Sequence, residues 1–172
     1  MTKWILVIGT LSFFGALAAA AGGEAGEEAG TNPNDWLLNA DSDNERFGLL
    51  QRYLRGFDQP MLETGVRFEA LYEALKRENF ALAEYHWEKI RTTIRNGYLK
   101  RPKRQANADR LFLDETWGEV RALLAAGDAD SGWRGFEEAR RACMRCHVAE
   151  DVAYMNDQPL FELEIPGQTM HR

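Results

Sequence analysis

SGWRGFEEARRACMRCHVAED (Ser131–Asp151) is the stretch that decides the fold. Trp133, Phe136, Ala139, Cys143, Cys146 and His147 recur along it at steps of three or four residues, the spacing of one helix face. The stretch GDADSG before it supplies a turn, and the helix is expected to fray between Asp151 and Asn156. The chain's only two cysteines lie in this helix, with His147 directly after the second.

Upstream, the same period repeats. Leu113, Trp117, Val120 and Leu124 share a face of a third helix, which Asn107 or Asp109 can cap and Gly127 closes. Ala83, Trp87, Ile90, Ile94 and Tyr98 mark a second helix that Pro102 stops. Phe47, Leu50, Leu54, Phe57, Met61, Gly65, Phe68, Tyr72 and Leu75 define a long first helix. Its stripe keeps phase across Pro60, which predicts a kink there and not a break. With no alternating strand pattern and short turns, the reading is all-α: an antiparallel up-down-up-down four-helix bundle. The tail after Asn156 reads as irregular, with Leu160 and Phe161 packing over one end.

The N-terminus has a different character. MTKWILVIGTLSFFGALAAA offers one cation at Lys3, an apolar run from Trp4 to Leu17 and small residues from Ala18 to Ala20. These are the parts of a secretory signal peptide, with cleavage after Ala20. The apolar run is shorter than the ~20 residues of a membrane-spanning helix. Residues 21–34 are rich in Gly, Ala and Glu and read as a flexible linker. Residues 35–172 form the bundle and its tail. The whole chain has 172 residues, 21 basic and 27 acidic, for a net charge of −6. An acidic balance of this kind argues against nucleic-acid binding.

Export narrows the chemistry of CMRCH. A disulfide between two cysteines three apart closes a tiny, strained loop and stabilises little. A thioredoxin-like redox pair wants a βαβ pattern nearby, and zinc wants four ligands where only three are clustered. C-x-x-C-H is the attachment signature of c-type haem. On one helical turn Cys143 and Cys146 can each form a thioether to a vinyl group. His147, four residues after Cys143, shares their face and can bind the iron.

A C-x-x-C-H motif in the last helix of an exported four-helix bundle resembles the class II c-type cytochromes, the cytochrome c-prime family. The resemblance runs from about Phe47 to Met155 and is strongest in CMRCH. A weaker match is MLETGVRF, where Met61, Gly65 and Phe68 are similar to the family's distal-side residue, glycine and aromatic. The resemblance implies one covalent haem c, a periplasmic location, and two copies able to pair as a homodimer. A methionine at the distal position implies six-coordinate iron, and its absence an open distal side. The chain departs from the family after His147, where VAEDVAYM replaces the usual basic residue.

Helix geometry offers a separate test of Met61. His147 lies sixteen residues beyond Ser131, and Met61 sixteen residues before Arg77. At 1.5 Å per residue both stand roughly 24 Å above the same end of an up-down bundle. By the same count His86 stands roughly 9 Å up, too low for the iron. Ile94, Tyr98, Leu111 and Leu113 fall at the haem's level as walls. Met61 is thus either the distal ligand or a core methionine filling a gap; Met155, Met170 and His171 are rival ligands, while Met144 points away from the face that carries His147. Arg91, Arg95, Lys100, Arg101, Lys103 and Arg104 gather near the end of the second helix. They read as helix-end stabilisation, or as partners for propionates or an acidic redox protein, with Arg95 nearest the haem.

Two functions follow. The first is a periplasmic electron carrier, not an enzyme, with iron ligated by His147 and Met61 and redox proteins as partners. The second is a gas-binding protein with five-coordinate iron, taking nitric oxide or carbon monoxide.

Overall fold

The computed structural model describes residues 32–166. The signal-peptide reading, most of the linker, and Met170 and His171 lie outside them. Contacts divide the chain into two units between Arg46 and Phe47. In the first, Asn39 Nδ2 donates to the Asn32 carbonyl (3.0 Å) and Arg46 Nε to that of Leu37 (2.9 Å). Ser42 Oγ accepts from the Glu45 amide, a side-chain cap for helix α1 (Asp43–Tyr53).

The second unit is built from helices, and no strand occurs among the described residues. Helix α2 (Asp58–Lys76) is separate from α1, so the expected kink at Pro60 is a break. Arg55 takes a left-handed φ of 60° between them, and Lys100 Nζ donates to the freed Leu54 carbonyl (3.1 Å). Pro60 then falls in the first turn of α2, where helical amides lack intrahelical partners in any case. Helix α1 buries no residue; Phe47, Tyr53 and Leu54 are exposed, so the long stripe belongs to the core only from α2 onward.

Asn79 joins α2 to α3 (Phe80–Lys100). Its amide donates to the Ala74 carbonyl (2.9 Å), and its Oδ1 accepts from the Leu82 amide (3.1 Å). Ala83, Trp87, Ile90 and Ile94 are buried on α3 as their spacing predicts, and Trp87 Nε1 donates to the Trp117 carbonyl (3.0 Å).

The third helix departs from expectation. After Pro102 the chain runs through a 3₁₀ turn, the short α4 (Gln105–Ala108) and a π-helical turn over Asp109–Asp114, before α5 (Trp117–Ala125). Neither Asn107 nor Asp109 caps a long helix. Asn107 Nδ2 instead donates to the Ala149 carbonyl (3.2 Å) and to Glu150 Oε1 (2.7 Å). Thr116 Oγ1 donates to the Leu111 carbonyl five residues back (3.0 Å), satisfying a group the wide turn leaves over.

Gly127, at φ 72°, ends the turn after α5, and Asp128 caps α6 (Ala129–Ala149) by accepting from the Ser131 amide (2.8 Å). A Cβ on Gly135 would meet Leu123 Cβ at 3.2 Å, so the glycine lets α6 lie close against α5. Helix α2 packs on α3, α3 on α5, α5 on α6, and α6 on α2. That ring of neighbours is consistent with a helical bundle. Phe68 and Phe136 stack at 4.6 Å in its core, with Leu71, Ala83, Trp87, Ile90, Val120 and Ala139 fully buried around them. None of the described helices is long and apolar enough to cross a membrane.

Candidate functional site

The site lies in the last turns of α6 and the segment after it. Cys143 and Cys146 are free thiols, both half-buried, and Cys143 packs against the core. Burial, and then the neighbouring Cys146, push the Cys143 thiol up to about 12. Burial and the Glu150 carboxylate raise Cys146 as well. Among the described residues, no three His, Cys, Asp or Glu side chains gather so as to hold a bare metal ion. Two thiols and an imidazole strung along one helical turn suit an extended group.

The helix stops at Ala149. Asp151, at φ 59°, reverses the chain, and two 3₁₀ turns, Ala153–Asp157 and Pro159–Phe161, form a strap along α6 and α2. The strap supplies His147 with its partner: His147 Nδ1 lies 2.8 Å from Asn156 Oδ1. Asn156 Nδ2 lies 3.3 Å from the Met144 carbonyl. A carbonyl can only accept, so the amide nitrogen must face Met144 and the amide oxygen His147. That oxygen also only accepts, so in the neutral ring the proton sits on His147 Nδ1 and the lone pair on Nε2. The Phe161 ring stands edge-to-face against His147 at 5.6 Å and reaches Phe68 of α2 at 6.4 Å. Leu160 lies where a Cβ on Gly65 would meet it at 3.5 Å.

Arg140 fastens the strap. Though only 7% exposed, it pairs with Glu137 and donates through Nη1 to the carbonyls of Phe161 (3.2 Å) and Leu163 (2.8 Å). Tyr72 Oη donates to the Glu164 carbonyl (2.7 Å), and Ile165 is buried.

The other candidates fall as follows. Met61 is half-buried against the core, one turn before Gly65. Met155 is exposed on the strap, and Met144 is half-buried. His86 is half-buried on α3 beside the Tyr85 ring (5.3 Å), its Nδ1 without a partner among the described residues. Burial, and then the charge of Arg67, lower its pKa. Ile94 and Leu111 are buried, and Tyr98 and Leu113 pack against the core.

In the basic cluster, Arg91 pairs with Glu88 (3.4 Å) and lies over the Trp117 ring (4.2 Å). Arg104 pairs with Glu150 at the end of α6. Lys100 and Arg101 donate to backbone carbonyls. Arg91, Lys100 and Arg104 tie separate chain segments together, whereas Arg101 reaches only the carbonyl of the residue before it.

Asn156 and Phe161 adjoin His147, and Arg140 fastens the strap that carries them. Sequence reasoning flagged Phe161 as a packing residue and missed the other two. Asn156 sits nine positions past His147 in a segment without periodicity, so no pattern marked it. Arg140 reads in sequence as one more cation of a charged helix. Compared with known protein families, curated proteins and solved structures, the chain matches none.

Proposed function

We propose that this chain is an exported c-type cytochrome with one haem c that carries electrons in the periplasm. The observation that carries the reading is His147: Asn156 holds its Nδ1 proton, leaving the Nε2 lone pair for iron, one turn from two free thiols. Cys143 and Cys146 hold the haem by thioethers. Each S–H adds across a vinyl double bond, sulfur to one carbon and hydrogen to the other, so nothing leaves and no oxidant is consumed. When bound, haem c supplies an iron that takes up and returns one electron. His147 would bind the iron, and Met61 would offer it a thioether, a donor that favours ferrous iron and raises the potential. The turns at Arg77–Asn79 and Ala126–Asp128 support an up-down-up-down bundle with the haem on its last helix. Redox proteins are the partners, and two copies pair as a homodimer by resemblance to the family.

A second reading, five-coordinate iron that binds nitric oxide or carbon monoxide, draws on the strap. Leu160 beside Gly65 and Phe161 between Phe68 and His147 bring apolar side chains to the α2 side. Optical spectra of protein matured in a host with cytochrome c assembly machinery decide between the two. The carrier gives low-spin spectra that carbon monoxide leaves unchanged. High-spin iron that takes up carbon monoxide refutes Met61 ligation and establishes the second reading.

A further inference from the structure

We infer that Asn156, delivered by the strap, is the positioning residue for the iron ligand His147, and that it sets the electron-donating strength of that imidazole. The inference rests on the haem reading above and adds a residue outside the attachment motif.

A histidine at the end of a helix has two free torsions and two tautomers. Asn156 removes the tautomeric freedom, because its oxygen can only accept and its nitrogen is already turned to the Met144 carbonyl (3.3 Å). Phe161 restrains the ring from a second direction, edge-to-face at 5.6 Å. Neither residue could do this from a loose tail. Arg140 pins the carbonyls of Phe161 and Leu163, Tyr72 pins that of Glu164, and Ile165 anchors the strap in the core. Asn156 is therefore held between a helix carbonyl on one side and a fastened strap on the other.

A hydrogen bond from Nδ1–H to an amide oxygen pushes electron density toward Nε2 and makes it a stronger donor. A stronger donor favours ferric over ferrous iron and lowers the reduction potential. The potential should therefore follow acceptor strength at position 156: no acceptor in Asn156→Ala, an amide in the wild type, a carboxylate in Asn156→Asp.

The test measures reduction potentials of the three haem-loaded proteins, each first shown by denaturing mass spectrometry to carry covalent haem. Asn156→Ala should raise the potential and Asn156→Asp lower it. Gln158→Asp adds the same charge to the strap at a residue that bonds the Met155 carbonyl, and should lower it less than Asn156→Asp does. Loss of a merely structural contact would move Asn156→Ala and Asn156→Asp the same way, and that result, or no movement in either, overturns the inference. A second readout needs no haem: nitrogen-15 spectra of the full chain produced without haem. His147 should be the Nδ1–H tautomer in the wild type and shift toward Nε2–H in Asn156→Ala. A wild-type Nε2–H tautomer overturns the inference. An Nδ1–H tautomer in a chain that never takes covalent haem overturns the haem reading itself and ends the role assigned to Asn156.

Discussion

Replacing Arg140 with methionine removes a guanidinium and keeps most of the apolar stem that packs in α6. The wild-type side chain donates to the Phe161 carbonyl at 3.2 Å and the Leu163 carbonyl at 2.8 Å, and pairs with Glu137. Each hydrogen bond from a charged donor contributes ~1.5–3 kcal/mol, so losing two sets an upper bound of ~6 kcal/mol. The strap has a cheaper response: it can lift and hydrate the two carbonyls. Lifting re-exposes Ile165, now 4% exposed, at ~1.5–3 kcal/mol, and uncovers part of Leu160 and Leu163. Glu137 is 27% exposed on its side chain and keeps Arg141 as a partner, so it adds little to the loss. The expected destabilisation is ~2–4 kcal/mol. Arg141→Met is the matched control, because Arg141 is 53% exposed and its ion pairs lie at the surface; it should cost less than ~1 kcal/mol. Urea unfolding followed by far-UV circular dichroism reads both. Equal midpoints for the two variants, or a loss below ~1 kcal/mol for Arg140→Met, would refute the idea that this buried arginine fastens the strap.

Other substitutions test other parts of the structure. Met61→Ala should convert a low-spin spectrum into a high-spin one that binds carbon monoxide; a spectrum that stays low-spin moves the distal ligand elsewhere, with Met155 first in line. Gly97→Ala puts a Cβ 2.9 Å from the Phe57 ring, and that crowding should outweigh the better helix propensity of alanine for a net loss of ~1 kcal/mol; a more stable variant would show that Phe57 moves aside freely. His86 has a folded-state pKa below its ordinary 6.5. As pH falls past 6.5 the unfolded chain takes up a proton before the folded one does, so stability drops until the folded value is passed. His86→Gln should flatten that part of the stability-against-pH curve, and an unchanged slope in urea titrations would contradict the assignment.

Much of the fold is legible in the sequence. The face of α6 from Trp133 to His147 and the face of α3 from Ala83 to Ile94 repeat at helical spacing without interruption, and both are helices with those residues turned inward, apart from a half-buried end at the motif. The placement of Cys143, Cys146 and His147 on one turn of a single helix could be read for the same reason. Pro60 misled because phase alone cannot separate a kink from a break; Arg55 in a left-handed conformation and the Lys100 contact to Leu54 decide it, and the second comes from a residue far along the chain. The π turn at Asp109–Asp114 leaves no periodic trace, since Leu113, Trp117, Val120 and Leu124 fit an ordinary helix just as well on paper. Asn156 and Arg140 could not be read at all: their partners lie in, or against, a segment whose course is set by tertiary contacts.

The most direct measurement is the mass of the polypeptide under denaturing conditions, after production in a host that assembles c-type cytochromes. Because two thiols add to two vinyl groups with no leaving atom, the wild-type chain should gain the mass of one haem, and Cys143→Ser with Cys146→Ser should abolish the gain. A wild-type chain that emerges at its bare polypeptide mass contradicts the account.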